Sequence, residues 1–290
     1  MSKTAWVFPG QGSQAVGMGA DLAEVCARRL AEASDILGWS VIDICQNEDK
    51  LTSTIYTQPS LYVIECVLAE LLMAEGQMPD MVAGHSLGEY SALCAAGVFD
   101  FGAGLRLVKK RAELMSQASS GAMAAFMGFK RDELDAKIAE TKGVVMANDN
   151  SPGQVVISGA PEAVAAVMDG VKAKKAVKLN VGGAFHSPLM AEAAKEFEDV
   201  LTAVTFQDAK VPVMSNVDPS PQMNADVLKE RLREQMTGAV RWREISLSLP
   251  EQNVSTVIEI GPGRVLTGLI KRTCKALTLR NISTVESIGS

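Results

Sequence analysis

The chain is poor in cysteine and histidine for its length. Its 290 residues include five cysteines and two histidines. The cysteines are widely separated and never form a C-x-x-C pair: Cys26, Cys45, Cys66, Cys94 and Cys274. Their odd number and spacing exclude a disulfide framework and a cysteine-based zinc site, and suit reduced thiols. We therefore expect a cytoplasmic protein without metal or cofactor.

Long apolar runs and an excess of positive charge are also missing. The apolar stretch from Leu61 is interrupted by Glu65 and Glu70, and no signal-peptide core follows the N-terminus. The formal charge of -6 and the pI near 5.2 give no overall basic field for nucleic acid or an anionic membrane. With 47% hydrophobic residues, the chain can form one large domain or a domain with an insertion. We expect no export, no membrane span and no nucleic-acid partner.

A Gly-x-Ser-x-Gly sequence surrounds Ser86. It follows the short apolar run 81–83 and opens a helix-like run through Ala95. A serine in this context is typical of a nucleophile elbow, whose glycines remove side chains that would collide where strand and helix meet. The N–H of Leu87 would then face a developing oxyanion at the helix N-terminus. The alternative is an ordinary turn before a helix.

The scarcity of histidine leaves few choices for a catalytic base. His85 adjoins Ser86, and adjacent side chains of an extended segment leave on opposite sides. His186 is the other imidazole, on a connection between a strand-like run at 176–181 and a helix that begins near Leu189. We predict that His186 is the base for Ser86. The alternative is a solvated or capping loop histidine.

Arg111 falls in the middle of an apolar helix face. Its neighbours on that face, at helical spacing, are Leu107, Val108, Leu114 and Met115. A guanidinium in such a position is costly without a partner. One interpretation is a structural arginine that binds a buried Asp, Glu or carbonyl oxygen. The other is a bidentate clamp for a substrate carboxylate, which suits the planar guanidinium.

Strand and helix patterns predict an α/β protein with a parallel sheet and an insertion. Strands are predicted at 4–8, 81–83, 210–215 and 256–260, and helices at 19–37, 58–76, up to 117, 225–235 and up to 271. The first strand runs into a glycine-rich turn that contains Gln11. A second pattern lies between the two parts of this α/β body. Its βαββαβ order is typical of a ferredoxin-like unit, with elements predicted at 122–129, 132–140, 143–147, 154–158, 161–172 and 176–181. We predict a large subdomain of residues 1–121 and 189–290, a small subdomain of residues 122–188, and Ser86 and His186 in the cleft between them.

A basic stretch stands out near the C-terminus of this acidic chain. From Gly261 to Arg280 it carries no acidic residue and five basic ones: Arg264, Lys271, Arg272, Lys275 and Arg280. It is either a solvated face or a landing area for an acidic partner or a phosphorylated carrier.

Six blocks of the sequence together resemble one known family, the malonyl-CoA:acyl carrier protein transacylases, including the free-standing acyltransferases that serve polyketide synthases in trans. The blocks are 8–14 (FPGQGSQ), 84–90 (GHSLGEY), 110–115 (KRAELM), 150–159 (NSPGQVVISG), 183–188 (GAFHSP) and 261–268 (GPGRVLTG). The resemblance covers nearly the whole chain. It implies an α/β-hydrolase-like core with a ferredoxin-like insertion.

The resemblance also implies an activity and a role for each site residue. The activity is malonyl transfer from malonyl-CoA, through an acyl-serine, to the phosphopantetheine thiol of a holo acyl carrier protein. The implied residues are Ser86 as nucleophile, His186 as base, Gln11 and the Leu87 N–H as oxyanion hole, Arg111 as carboxylate clamp, and His85, Phe185 and Met115 as substrate-binding residues. The family orients its histidine with a backbone carbonyl, which Gln235 would supply, although residues 237–239 depart from the family pattern.

Two other activities are compatible with the residues. An editing acyl hydrolase needs the same serine and histidine but has little use for the carboxylate clamp. A non-catalytic carrier-docking protein would need neither the nucleophile nor the base, and both are present.

Overall fold

The computed structural model describes residues 2–118 and 121–289. The remaining residues, Met1, Ser119, Ser120 and Ser290, belong to the predicted large subdomain and lie outside the described residues. Over the described part of the chain the strands are β1 Lys3–Phe8, β2 Met81–Gly84, β3 Ala122–Phe129, β4 Val144–Ser151, β5 Gln154–Gly159, β6 Ala173–Lys178, β7 Val213–Met214, β8 Val254–Ile260 and β9 Thr278–Ile282.

The helices connect these strands. In chain order they are α1 Leu22–Val25, α2 Ala27–Leu37, α3 Val41–Cys45, α4 Glu48–Leu51, α5 Thr54–Ala74, α6 Gly88–Ala95, α7 Phe101–Gln117, α8 Arg131–Glu140, α9 Pro161–Gly170, α10 Ala191–Ala203, α11 Ala225–Glu234, α12 Trp242–Glu251 and α13 Val265–Thr273. No helix among the described residues combines the length and apolar character needed to cross a membrane.

The first sheet is parallel, with the strand order β7-β2-β1-β8-β9. The central strand, β1, contributes apolar side chains to both faces of this sheet. Its alternate residues Trp6 and Phe8 enter one core cluster with α5, and Ala5 and Val7 enter a second cluster with Trp242 of α12. A strand with consecutive apolar residues, as at positions 5–8 of β1, is typical of a parallel sheet between two helical layers.

The second sheet is antiparallel, with the order β4-β5-β3-β6. Strand β3 again divides its residues by alternation. Ala124 and Phe126 pack in a cluster with α8 and α9, whereas Met123 and Ala125 join the main core. One face of this sheet therefore supports its own helices, and the other faces the parallel sheet.

The predicted fold class is confirmed at the level of an α/β protein with a parallel sheet and a separate antiparallel sheet. Several boundaries are different. The helix expected at 19–37 is two helices that meet at Cys26, and the helix expected from residue 58 begins at Thr54, five residues before its only proline, Pro59. Four elements were not predicted from the sequence patterns: α3, α4, α12 and β9.

The strand predicted at 176–181 lies at Ala173–Lys178. Pairing with β3 sets this register, with Ala173 opposite Phe129 and Lys178 opposite Ala124. The apolar residues Leu179 and Val181, which suggested a longer strand, line the cleft between the sheets. A similar shortening affects the strand predicted at 210–215, because only Val213 and Met214 pair with β2.

Candidate active site

Ser86 lies on a tight turn between β2 and α6. Its backbone φ is 52°, in the left-handed region that non-glycine residues rarely adopt. The flanking glycines allow this turn: a Cβ on Gly84 would lie 1.9 Å from the Gly88 carbonyl carbon, and one on Gly88 would lie 2.0 Å from the Phe8 oxygen. Only glycine fits at either position, and the serine hydroxyl is held at the start of α6.

His186 approaches this hydroxyl from the connection that follows β6. Its Nε2 lies 2.8 Å from Ser86 Oγ, and its Nδ1 lies 3.0 Å from the Gln235 carbonyl oxygen and 3.1 Å from that of Gly238. Because a carbonyl only accepts, Nδ1 carries the proton and Nε2 is free to accept the serine proton. Burial, followed by the nearby Arg111 charge, lowers the pKa of His186 to about 3, so the imidazole is neutral at physiological pH.

Arg111 of α7 is fully buried beside the serine. Its Nη2 donates to Ser86 Oγ at 3.0 Å and to Gln235 Oε1 at 3.2 Å, and its Nη1 donates to Gln58 Oε1 at 2.7 Å. Within the described residues, no carboxylate lies within ion-pair distance of the guanidinium. Burial lowers the pKa of Arg111. The interior therefore offers Arg111 uncharged oxygens and not the buried Asp or Glu that one interpretation expected.

The predicted oxyanion hole would use the backbone N–H groups of Gln11 and Leu87. Leu87 is the N-cap of α6, and Gln11 lies in the glycine-rich turn after β1. Over residues 2–118 and 121–289, no group accepts a hydrogen bond from either N–H. The turn approaches the elbow so closely that a Cβ on Gly10 would lie 2.4 Å from the His85 oxygen. The side chain of Gln11 is engaged elsewhere, since its Nε2 donates to Thr54 Oγ1 at 3.1 Å.

These groups line a cleft of about 310 Å³ between the two sheets. The parallel-sheet side contributes the elbow, Gln58, Arg111, Met115 and the start of α13. The antiparallel side contributes Met123, Ala125, Asn148, Asn150, Gln154 and Val156. The connection between the two sides contributes Leu179, Val181 and Phe185. Met115 and Phe185 are buried. Both walls of the cleft thus combine apolar side chains with amide groups, and the parallel-sheet wall also carries the Arg111 guanidinium.

His85 is directed away from the serine hydroxyl. Its Nε2 pairs with Asn150 Oδ1 at 2.8 Å, and its ring lies 5.7 Å from that of Trp242. Burial lowers the pKa of His85. The residue therefore joins the elbow to strand β4 across the cleft.

Four basic residues of the stretch lie at the start of α13, on it or in the turn after it, and the fifth, Arg280, lies on β9. Arg264, Lys271, Arg272 and Lys275 are exposed. Arg272 Nη1 donates to Gln154 Oε1 at 3.2 Å. No ion pair with an acidic residue is formed by these four side chains within the part of the chain that the structure describes. Because Val265, Leu266 and Leu269 of the same helix line the cleft, the basic surface adjoins its rim.

Comparison with known proteins places this geometry in a family. The acyl transferase domain model matches residues 5–290. The chain belongs to the acyl transferase family. A malonyl CoA-acyl carrier protein transacylase of Synechocystis sp. is 56% identical to it over 99% of both chains. A polyketide biosynthesis malonyl CoA-acyl carrier protein transacylase of Bacillus subtilis is 41% identical over 92% of this acyl transferase and 96% of the relative.

Solved structures of family members share the fold. The crystal structure of the Synechocystis sp. malonyl-CoA:ACP transacylase has a TM-score of 0.97 and 56% identity, with 99% of each chain covered. A malonyl-transacylase in complex with a type II polyketide synthase acyl-carrier protein has a TM-score of 0.94 and 40% identity, with 99% of this acyl transferase and 98% of that chain covered.

Three side chains at the site have no role in the sequence analysis. Gln58 holds Arg111, and Asn216 and Glu89 lie behind Ser86. Glu89 was visible as a lone acid in an apolar helix, a pattern that indicates a buried partner. Asn216 follows a strand of two residues and carries no local signal.

Proposed function

We propose that this acyl transferase moves a malonyl group from malonyl-CoA, through an acyl-serine, to the phosphopantetheine thiol of a holo acyl carrier protein. One observation carries the proposal: the buried Arg111 Nη2 lies 3.0 Å from Ser86 Oγ and has only uncharged partners. In a malonyl thioester, a single methylene separates the carboxylate from the reacting carbonyl. An acyl group on Ser86 would therefore bring such a carboxylate to the guanidinium. The names of the relatives support the same substrate.

In the first step, the Ser86 hydroxyl attacks the thioester carbonyl carbon while His186 Nε2 takes its proton. The carbonyl electron pair moves to oxygen, where the N–H groups of Gln11 and Leu87 donate to it. The tetrahedral intermediate collapses, the C–S bond breaks, and the coenzyme A sulfur leaves with the proton from His186. The carbonyl oxygen of Gln235 holds the Nδ1–H of His186 throughout and stabilises the imidazolium.

In the second step, the carrier thiol gives its proton to His186 and attacks the seryl ester. The C–O bond to Ser86 breaks and the serine recovers the proton. The apolar residues Met115 and Phe185 keep water from the ester, since hydrolysis would waste the acyl group. His85 completes the substrate site by fixing Asn150 on the opposite wall.

We also propose finer assignments for the fold. The strand order β4-β5-β3-β6 with the sequence βαββαβ supports a ferredoxin-like small subdomain of residues 122–188. The elbow after a parallel strand supports an α/β-hydrolase-like large subdomain of residues 1–121 and 189–290. For the carrier, we propose docking on Arg264, Lys271, Arg272 and Lys275, whose positive charge beside the cleft suits an acidic partner.

Intact-protein mass spectrometry tests the proposed function. After mixing with malonyl-CoA, the wild type should gain one malonyl group and lose it to an added holo carrier protein, and Ser86→Ala should gain none. Free malonate without acylated carrier would indicate the hydrolase instead. Absence of an adduct on folded wild type would leave the docking-protein alternative.

A further inference from the structure

Glu89 is a buried acid directly behind the nucleophile. It lies in the first turn of α6, three residues after Ser86, and is 1% exposed. Its Oε2 accepts a hydrogen bond from Gln235 Nε2 at 2.7 Å and another from the backbone N–H of Asn216 at 3.2 Å. Its Oε1 has no hydrogen-bond partner among the described residues. A carboxyl group in such a place is costly, and the mechanism above gives it nothing to do.

Both partners of Glu89 hold the backbone of Ser86. Asn216 Oδ1 accepts from the Ser86 N–H at 2.7 Å, and Asn216 Nδ2 donates to the Gly84 oxygen at 2.6 Å. On the other side, Gln235 Nε2 donates to the Ser86 oxygen at 2.9 Å. The serine needs such support, because its φ of 52° is unfavourable and persists only when its surroundings impose it.

Glu89 also determines which way the Gln235 amide faces. Because Glu89 Oε2 accepts a hydrogen bond, the NH₂ group of Gln235 must point toward Glu89. The side-chain oxygen of Gln235, its Oε1, must therefore point the other way. That oxygen accepts from Arg111 Nη2 at 3.2 Å, and the backbone oxygen of the same residue accepts from His186 Nδ1 at 3.0 Å. A single glutamine thus connects Glu89 to the base and to the guanidinium.

We propose that Glu89 is a positioning residue for acylation, acting through Gln235 and Asn216 on the Ser86 backbone, His186 and Arg111. The inference rests on the proposed function, because acylation of Ser86 is the step it serves. The essential feature is a hydrogen-bond acceptor at the position of Oε2. Negative charge is not required, since Oε1 has no partner and can carry a proton, or be replaced by NH₂, without disturbing the two bonds to Oε2.

Two conservative variants separate position from charge. Glu89→Gln keeps an acceptor at the same place without the charge, whereas Glu89→Asp keeps the charge and withdraws the acceptor by about 1.5 Å, one C–C bond. The matched controls are Glu65→Gln and Glu65→Asp. Glu65 is an equally buried carboxyl on α5, which binds Ser91 Oγ at 2.6 Å and lies outside the cleft lining.

The measurement is single-turnover acylation of Ser86 by malonyl-CoA, followed by intact mass and normalised to protein that retains the wild-type circular dichroism. We expect Glu89→Asp to lower the maximal rate roughly 100-fold, as a displacement of about 1 Å commonly does. Glu89→Gln should stay within about tenfold of wild type, which is the rescue that a positioning role predicts. The half-saturating malonyl-CoA concentration should change much less than the rate, and both Glu65 variants should acylate at the wild-type rate.

A second readout separates this inference from the proposed function. A fluorophosphonate probe needs only the Ser86–His186 pair: the serine oxygen attacks phosphorus, fluoride leaves and His186 takes the proton. Slow labelling of Glu89→Asp with fast labelling of Glu89→Gln would support positioning even if malonyl-CoA were not the donor. Three results overturn the inference: the reverse order, equal rates for the two Glu89 variants, or an equal loss in Glu65→Asp.

Discussion

Two arginine clusters of the molecule differ in whether the guanidinium charge has a carboxylate partner. Beside Ser86, Arg111 is fully buried and, among the described residues, donates to amide and hydroxyl oxygens. At the junction of the two sheets, Asp149 of β4 accepts from Arg131 of α8 at 3.0 Å and from Arg243 of α12 at 2.9 Å. These two arginines retain side-chain exposures of 34% and 28%.

The difference separates binding from architecture. Asp149 also lies where β4 is joined through the backbone to the segment before α12, since its N–H donates to the Val240 oxygen at 2.9 Å and Val240 N–H donates to the Ala147 oxygen at 2.8 Å. Its charge is matched within the protein, so it can hold α8 and α12 to β4. The charge of Arg111 is not matched, and a buried cation with neutral partners gains most from an anion that arrives with the substrate.

The largest predicted effect comes from removing the unmatched charge. Arg111→Ala should lower acylation by malonyl-CoA by roughly 100- to 1000-fold, because a buried charge pair with the substrate is lost. Acetyl-CoA, which has no carboxylate, provides the internal control and should be much less affected. The malonyl-to-acetyl ratio, measured by competition with intact mass detection, should therefore collapse. Equal losses for both donors would mean that Arg111 serves the serine and not the carboxylate.

Breaking the matched cluster should affect stability instead. Asp149→Asn leaves two arginines without their shared carboxylate, and we expect the free energy of unfolding to fall by about 1–3 kcal/mol, less than for a fully buried pair because the arginines reach water. Urea denaturation measures this. Asp135→Asn is the matched control: it removes the other carboxylate on Arg131, at the exposed end, and should cost about 0.5 kcal/mol or less. Equal losses in the two variants would remove the special role of Asp149.

The contrast between the clusters also explains what the sequence could reveal. Ser86 and its glycines are local, and the count of two histidines pointed to His186. Arg111 was visible because a charge interrupts an apolar helix face. Each of these signals lies within one helix, strand or turn, where the hydrophobic periodicity of about 3.6 or 2 residues can be recognised in the sequence.

The supporting groups have no such signature. Gln235, Asn216 and Glu89 come from three distant parts of the chain, and their hydrogen bonds exist only once α6, α11 and β7 are packed. The role of the Gln235 backbone was predictable only through the family resemblance, and nothing in the sequence indicated a role for its side chain. Likewise, the register of β6 depends on β3, so apolar residues of the cleft were assigned to the strand.

A pH-dependent comparison of the two buried acids follows. Burial raises the pKa of Glu89 to about 7, so between its ordinary value of 4.5 and 7 the folded protein binds more protons than the unfolded chain. The contribution of Glu89 to stability therefore falls as pH rises through this window. Glu89→Gln removes that loss, and its free energy of unfolding relative to wild type should rise by about 3 kcal/mol from pH 4.5 to 8. Urea denaturation across this range measures the difference.

Asp149→Asn is the control for this experiment. It should remain less stable than wild type across the same pH range, because two guanidinium groups lose their shared carboxylate. A stability difference between Glu89→Gln and wild type that does not change with pH would mean that Glu89 keeps one protonation state throughout.

The smallest predicted effect concerns exposed lysines that form an ion pair neither with an acidic residue of the protein nor with the substrate. The exposed Lys271 and Lys275 of the basic stretch would be paired only by a carrier, so Lys271→Glu and Lys275→Glu should raise the KM for a holo carrier protein by about 3- to 10-fold each. The acylation rate with malonyl-CoA should be unchanged, because neither side chain lines the cleft.

Lys142→Glu, an equally exposed change in the turn before β4, is the control. The effect should shrink between 50 mM and 500 mM salt, since exposed charges are screened over about a Debye length. A rise in KM that is equal for Lys142→Glu, or that persists at high salt, would show that net charge or local structure is responsible, and would leave the rim of α13 as a solvated face.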